Sequence, residues 1–206
     1  MPRDGTVTRE KIMDSAEALI LEQGFSATSV DKIIERAEIT KGSFFYHFDT
    51  KAALARALVE RFARLDLGHL NGKMARAEKL TSDPLQQMLV FIGLFHEEAE
   101  TLTEPYPGCL YASYVYEGGL FDEVTHKVIS DTMLEWRHRL ADKFRAIVER
   151  YPPHAPVNVE ALADLYTVVF EGAFIMAKTL KDPKLLADQI AHYRTYLELL
   201  FAPRET

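Results

Sequence analysis

Hydrophobic residues recur every three or four positions along most of this chain, which is the spacing of amphipathic helices. The first such segment stops near Gly24. The second begins at Thr28-Ser29-Val30-Asp31, where a hydroxyl residue followed three positions later by an acid has capping-box character. Strand-like alternation is confined to a few residues around Ser113, and the nine prolines lie at segment edges. The pattern predicts an all-α fold.

The same signals place the remaining helices. A short helix covers residues 40–48, Thr50 can cap a fourth helix, and Asp83-Pro84 opens a fifth. After a break at residues 103–108, helices start near Cys109 and near residue 122, and the last two end near residues 180 and 201. Because no Gly/Ser-rich linker occurs near residues 50–80, we expect the domain boundary inside or just after the fourth helix rather than in a linker. A three-helix domain (residues 1–52) then precedes a larger helical domain (residues 53–206).

Charge is distributed unevenly along the 206 residues. The formal net charge is -7, but residues 1–64 hold ten Lys/Arg and ten Asp/Glu, so the acidity belongs to the remainder. A neutral first segment is compatible with DNA binding, because phosphate affinity depends on local Lys/Arg contacts. The single cysteine, Cys109, excludes an internal disulfide and a CxxC zinc site.

The chain shows no signal for a membrane, a metal or a cofactor. It has no apolar N-terminal run, and its most apolar segment, residues 165–177, is too short for a membrane span and contains Glu171. No strong metal spacing occurs among His96, His138, Glu97, Glu98, Glu117 and Glu171, so we interpret these glutamates as hydrogen-bonded or solvated carboxylates. We expect a cytoplasmic protein without a membrane partner, a metal site or a cofactor.

The helix at residues 40–48 has the length and position of a helix presented to the major groove of DNA, since it follows a short helix and a three-residue break. A helical wheel puts Phe44 and Phe48 on one side and Gly42 and Tyr46 on the other. Ser43 and Phe45 flank the outer pair. The inner pair is therefore expected to pack, and the outer residues are expected to face base edges.

Residues around this helix are candidates for phosphate contacts. Lys41 lies at its N-terminal end, where unpaired amides also favour an anion. Thr28 or Ser29 at the start of the second helix and Lys51 at the start of the fourth are placed to hold the flanking backbone. Such contacts set register, while groove contacts select sequence.

Residues 8–64 resemble the N-terminal domain of the TetR family of transcriptional regulators. The matching strings are Gln23-Gly24-Phe25, Thr28-Ser29-Val30, Ala37-Glu38-Ile39-Thr40-Lys41-Gly42, the aromatic run to His47-Phe48, and Lys51 with Leu54. The resemblance implies that the DNA face is formed or supported by Thr40, Lys41, Gly42, Ser43, Phe45, Tyr46 and His47, with Lys51 on phosphate. Three positions differ from the family pattern: Glu38 stands where a turn Gly is usual, Phe45 where a phosphate-binding Tyr is usual, and Ala52 where a Glu often follows the lysine.

The second domain is rich in aromatic and sulfur side chains. For any single residue an ordinary core role is the simpler interpretation, but the group predicts a small-molecule pocket between the fifth, seventh and eighth helices. The candidate ligand-binding residues are Met88, Phe91, Phe95, Cys109, Tyr114, Met133, Trp136, Phe170 and Phe174. The string Gly108-Cys109-Leu110 resembles a subset of TetR-type repressors, some of which sense electrophiles or oxidants through that cysteine. A buried structural cysteine is the alternative.

The last two helices are candidates for a dimer interface. Residues 165–177 are apolar almost all round, so one side must meet its own domain and another side something else. Gly172 permits close approach of a second helix, and a further apolar face follows with Tyr193, Leu197, Leu200 and Phe201. Burial within a larger monomer is the alternative. The resemblance implies a two-fold dimer, which would place two reading helices about 34–36 Å apart on a palindromic operator.

These observations predict a homodimeric transcriptional regulator that is not an enzyme. The resemblance implies a repressor released from double-stranded DNA by a small-molecule or electrophile inducer. The alternative is a helical ligand-binding or catalytic protein that does not use DNA. For catalysis, Cys109 with a distant histidine could form a nucleophilic pair, but no Gly-rich phosphate loop or HExxH motif supports it.

Overall fold

The computed structural model describes residues 5–202, and within that range it contains α-helices and no strand, which confirms the all-α prediction. The helices are α1 Gly5–Gln23, α2 Val30–Arg36, α3 Lys41–His47, α4 Lys51–Leu80, α5 Pro84–Glu100, α6 Leu110–Tyr116, α7 Glu123–Arg150, α8 Val159–Leu180 and α9 Lys184–Leu200. A 3₁₀ turn, Gly118–Leu120, follows α6. None of the described helices has the length and apolar character needed to cross a membrane.

Side-chain caps fix where several helices begin. Thr40, Thr50 and Asp83 each accept a hydrogen bond from the backbone N–H three positions later, at 3.1, 3.0 and 2.9 Å. At α2 the capping residue is Ser29, which accepts the N–H of Lys32 at 3.2 Å. The capping-box prediction starting at Thr28 is therefore wrong by one residue, because the Thr28 hydroxyl donates backwards to the carbonyl of Gly24 at 2.8 Å.

The chain divides into two compact units. Of the described residues, unit 1 contains 5–65 together with Cys109–Ser130, and unit 2 contains Asp66–Gly108 together with 131–202. Unit 1 is larger than residues 1–52, because α6 packs on α1 and Tyr114 donates a hydrogen bond to the carbonyl of Ala55 at 3.0 Å. The functional boundary at residue 52 stays a prediction, since compactness does not assign roles.

Unit 1 is held together by an apolar core and by one buried cation. Ile12, Ile33, Phe44 and Leu58 are almost completely buried at its centre. Arg61 of α4 is 8% exposed and pairs with three carboxylates of α1 at 2.6–2.8 Å, those of Glu10, Asp14 and Glu17. A buried charge is costly unless it has partners of opposite charge. These three ion pairs therefore connect α4 to α1.

The turn between α2 and α3 places Glu38 in the left-handed region, with φ of 49°. A side chain at such a position costs about 1 kcal/mol relative to glycine, and the exposed Lys11–Glu38 pair at 3.3 Å contributes little in return. We therefore expect Glu38→Gly to raise the free energy of unfolding by about 1 kcal/mol in urea titrations at fixed protein concentration. Glu35→Gly inside α2 is the control and should lower it by about 1 kcal/mol. Equal losses in both variants would contradict this expectation.

Unit 2 has a core built from α5, α7, α8 and α9 with the second part of α4. Met88, Phe91, Phe144 and Ile190 are fully buried in it. Tyr193, Leu197, Leu200 and Phe201 are also core residues, at most 5% exposed. The expectation that these four residues form an interface is therefore wrong: they bury the inner face of α9 against unit 2 itself.

Candidate nucleic-acid interface and effector site

Helix α3 presents its two sides as the helical wheel predicts. Phe44 and Phe48 are buried in unit 1, whereas Tyr46 is 82% and Phe45 43% exposed. Gly42 is exposed, and a Cβ atom built there would meet nothing within 4 Å. The outer side is thus an open surface at which the backbone itself can be approached closely. The burial pattern is confirmed, while contact with DNA stays a prediction.

The N-terminal end of α3 carries the accessible charge. The Lys41 side chain is 72% exposed, and its ammonium lies 3.9 Å from Asp31. An exposed pair at that distance is weak, so a phosphate can replace the carboxylate at little cost. Ser43 and His47 are half-buried beside the exposed residues, and the Thr40 hydroxyl is engaged in capping the helix. Thr40, Ser43 and His47 are therefore placed to support the outer face.

Two expected phosphate contacts need correction. Thr28 is completely buried and its hydroxyl is bonded to Gly24, so only Ser29, which is exposed, remains available at the start of α2. Lys51 is half-buried: its ammonium donates to the carbonyl of Phe25 at 2.5 Å and lies 3.8 Å from the centre of the Phe25 ring. Burial lowers the pKa of Lys51, and the neighbouring Glu117 carboxylate partly opposes that change. The ammonium is thus used inside the protein.

Glu117 makes contacts near the candidate DNA face that sequence reasoning missed. It was expected to be a hydrogen-bonded or solvated carboxylate, and it is hydrogen-bonded, but its partners lie in the turn between α1 and α2. The backbone N–H groups of Phe25 and Ser26 donate to its two carboxylate oxygens at 2.7 and 2.9 Å. The only sequence signal was an acid placed at the end of an aromatic helix, which does not reveal a partner some ninety positions away.

Aromatic rings from α5, α7 and α8 meet in unit 2, while a small-molecule pocket between these helices stays a prediction. Phe91 and Phe95 of α5 lie with their centroids 5.7 Å from Tyr166 of α8, Trp136 of α7 stacks on Tyr166 at 5.3 Å, and Phe170 stacks on it at 4.5 Å. These five residues are called the aromatic cluster below. Phe95 and Phe170 are only partly buried, which leaves the edge of the cluster accessible.

Tyr166 has an unusual hydroxyl at the centre of this cluster. The side chain is 3% exposed, and the hydroxyl has no hydrogen-bond partner among residues 5–202. Burial raises the pKa of Tyr166 well above its ordinary value, so the group stays protonated and able to donate. The indole N–H of Trp136 is already taken by Asp66 at 2.8 Å. Tyr166 was absent from the predicted ligand-binding set, because a single tyrosine in an apolar helix gives no sign that its hydroxyl is unpaired.

Of the other predicted ligand-binding residues, Phe174 adjoins the aromatic cluster: its ring centroid lies 6.2 Å from that of Phe170, and it stacks on Tyr106 at 4.7 Å. Met88 is buried in the unit 2 core, and Met133 is half-buried on α7. Tyr114 and Cys109 belong to unit 1. Tyr114 is fully buried with its hydroxyl bonded to Ala55, so it is not part of the group of side chains around Tyr166.

A groove of about 490 Å³ lies between α4 and α5 in unit 2. Its polar lining includes His69, Lys73, Arg76 and Glu97. None of the predicted ligand-binding residues lines it. The groove nevertheless adjoins the aromatic cluster, because the Lys73 ammonium lies 4.7 Å from the centre of the Phe95 ring.

Comparison with known proteins agrees with this geometry. The sequence profile described as bacterial regulatory proteins, tetR family, matches residues 12–58. The transcriptional regulator AcuR of Cereibacter sphaeroides is 29% identical over 183 residues, covering 85% of this chain and 78% of AcuR. The HTH-type transcriptional repressor NemR of Escherichia coli is 37% identical over 54 residues, covering 26% of this chain and 27% of NemR. A solved TetR-family regulator from Agrobacterium tumefaciens has a TM-score of 0.76 at 22% identity, covering 97% of this chain and 100% of that one.

The matched segment begins within α1 and ends within α4, so it contains α2, α3 and the turn that joins them. A short helix with an exposed outer side, carried by two further helices, is the arrangement of a helix-turn-helix DNA-binding domain. Residues 12–58 thus match the DNA-binding segment of the TetR family, and the whole chain has the fold of solved TetR-family regulators, in which a helical domain follows the N-terminal helix-turn-helix domain.

Proposed function

We propose that this protein is a homodimeric repressor that binds a palindromic operator and is released from it by a small-molecule inducer, acting in the cytoplasm where the chromosome lies. The exposed outer side of α3 carries the proposal, because it offers Lys41, Gly42 and Tyr46 to a groove while Phe44 and Phe48 hold the helix from within. NemR, which resembles part of this chain, is named as a repressor. We propose no catalytic role.

The proposed dimer contact is the outer face of α8. Val168, Ile175, Met176 and Leu180 are 49–63% exposed, and they recur at the spacing of one helical face around the exposed Gly172. On α9, Tyr196 and Leu199 are exposed at 44% and 68%. Exposing this many large apolar side chains to water on two neighbouring helices is unfavourable. Burying them against the same face of a second copy would be favourable.

The proposed effector site is the aromatic cluster around Tyr166. Its rings favour a flat apolar molecule, and the buried hydroxyl of Tyr166 favours an uncharged hydrogen-bond acceptor on that molecule. An electrophile acting on Cys109 is the second route to induction. Cys109 is half-buried at the start of α6 in unit 1 and is not part of the cluster. Unchanged DNA affinity after complete alkylation of Cys109 would remove that second route.

Tyr166→Phe should stabilise the ligand-free protein, because it removes a buried hydroxyl that has lost water and gained no partner. We expect the free energy of unfolding in urea to rise by about 1 kcal/mol. Tyr193→Phe is the matched control: Tyr193 is equally buried, but its hydroxyl donates to the carbonyl of Leu162 at 3.3 Å, so this variant should lose about 1 kcal/mol. A loss of stability in both variants would indicate that Tyr166 is satisfied and would remove the argument for a ligand at this place.

The DNA function is tested by selecting bound sequences from random duplexes with the purified protein. We expect a symmetric consensus whose half-sites are about one helical turn apart, as two reading helices related by a two-fold axis require. Recovery of no consensus, or of an asymmetric one, would contradict the dimeric regulator. Turnover of a substrate by protein that binds no DNA would support the catalytic alternative.

A further inference from the structure

The turn between α1 and α2, residues 24–29, is held by a carboxylate from outside the three helices of the DNA-binding domain. Glu117, the residue that follows α6, accepts the N–H of Phe25 at 2.7 Å, the N–H of Ser26 at 2.9 Å and the hydroxyl of Ser26. Gly24 provides the space: a Cβ atom there would lie 3.1 Å from the Glu117 carboxylate, and its φ of 85° favours glycine. Because Gly24 has no side chain, the Glu117 carboxylate can contact the backbone of the turn directly.

Phe25 is held from its other side as well. Lys51, the first residue of α4, donates to the Phe25 carbonyl at 2.5 Å, so that both backbone groups of Phe25 are bound by charged side chains. The Phe25 ring lies 5.8 Å from Tyr114 and 4.6 Å from Phe121, which themselves stack at 4.1 Å. The position of this turn relative to α4 is thus fixed by the segment that contains α6.

The carboxylate of Glu117 is ionised at neutral pH. Desolvation opposes the charge, but the hydrogen bonds from Ser26 and Phe25, together with the nearby Lys51, lower the pKa of Glu117 below its ordinary value. Each hydrogen bond to it is therefore charge-assisted, and such bonds are stronger than those between neutral groups.

The turn leads directly into the helices that read DNA. Thr28 bonds back to Gly24, Ser29 caps α2, and α2 packs against α3. We propose that Glu117 is a positioning residue for DNA binding: by holding the backbone of Phe25 and Ser26 it sets where α2 starts and, through α2, where α3 lies. This inference rests on the DNA-binding function proposed above.

The test uses the full-length variants Glu117→Ala and Glu117→Gln. Glutamine keeps the shape of glutamate but has one acceptor oxygen in place of two. Its NH₂ group would face the N–H of Phe25 or Ser26, and two donors cannot form a hydrogen bond. The probes are the duplex selected by the wild-type protein and a scrambled duplex of equal length. We expect both variants to bind the selected duplex about tenfold more weakly, the effect of about one charge-assisted hydrogen bond. On the scrambled duplex, loss of a negative charge should leave affinity unchanged or slightly higher.

Glu123→Gln is the control, since it removes the same charge from an exposed position of unit 1 and should bind as the wild type does. Amide exchange gives a second readout without DNA: the amides of Phe25 and Ser26 should exchange faster in the Glu117 variants, while that of Ile20 in α1 should not change. Should Glu117→Ala fail to fold, Glu117→Gln decides. Wild-type affinity of Glu117→Gln for the selected duplex, or equal losses on both duplexes, would overturn the inference.

The two proposals fail in different ways. A wild-type protein that selects no duplex would contradict the DNA function and with it a role of Glu117 in DNA binding, whereas exchange at Phe25 and Ser26 would still report whether Glu117 holds the turn. A wild-type protein that selects a duplex, together with Glu117 variants that bind it equally well, would leave the regulator intact and remove only the positioning role.

Discussion

Ile175→Glu is expected to convert the protein into a monomer and to weaken its binding to the selected operator strongly. Ile175 is 57% exposed at the centre of the apolar face of α8. In a two-fold dimer each copy contributes this residue, so the substitution would bury two unpaired carboxylates in one apolar contact. Each such burial costs several kcal/mol, and we expect the dissociation constant of the dimer to rise by at least about 100-fold. One reading helix covers too few bases to be selective, so operator affinity should fall by a similar factor.

Leu80→Glu is the matched control for this substitution. Leu80 is 64% exposed at the end of α4 and lies on neither α8 nor α9, so its variant should remain dimeric and should bind DNA as the wild type does. Light scattering coupled to size-exclusion chromatography measures the mass, and fluorescence anisotropy measures the binding. A dimeric Ile175→Glu protein would place the interface elsewhere, and a monomeric wild type that binds the operator would contradict the dimer altogether.

Local features of the fold could be predicted from the sequence because they depend on near neighbours. The period of apolar residues gave the helices, and Asp83-Pro84 gave the start of α5, because a cap and a proline act within one turn. The inner and outer sides of α3 followed from helical geometry alone, which is why Phe44 is buried and Tyr46 exposed. The candidate DNA face could therefore be predicted from the sequence.

Features that depend on distant partners could not be predicted. Lys51 was expected to face DNA, but its ammonium donates a hydrogen bond to the carbonyl of Phe25. Phe25 lies far away in the sequence, in the turn between α1 and α2. Tyr193 and Leu197 of α9 were expected at an interface, but the sequence could not indicate that they are core residues while Tyr196 and Leu199 are exposed. Likewise, an unpaired hydroxyl such as that of Tyr166 is a property of its packed surroundings rather than of its own segment.

Lys41 and Tyr46 are expected to contribute to DNA binding in different ways, and Tyr46→Ala should have the larger effect on specificity. Lys41 can reach a phosphate at any sequence, so Lys41→Ala should weaken binding to selected and scrambled duplexes by the same factor. It should also reduce the slope of log affinity against log salt by about one for each protomer. Tyr46 is 82% exposed on the outer side of α3, where it can contact base edges. Its loss should cost about 1–3 kcal/mol on the selected duplex alone.

The control for Tyr46 is Tyr116→Ala, because Tyr116 is an equally exposed tyrosine, at 81%, on α6 of the same unit. That variant should keep both the affinity and the consensus of the wild type. Repeating the selection with Tyr46→Ala should recover a consensus relaxed at one position in each half-site, since the symmetric copy reads the other half. If Lys41→Ala and Tyr46→Ala instead lost affinity equally on both duplexes, both side chains would act on the DNA backbone, and the readout of base sequence would have to come from the remaining exposed residues of α3, such as Phe45.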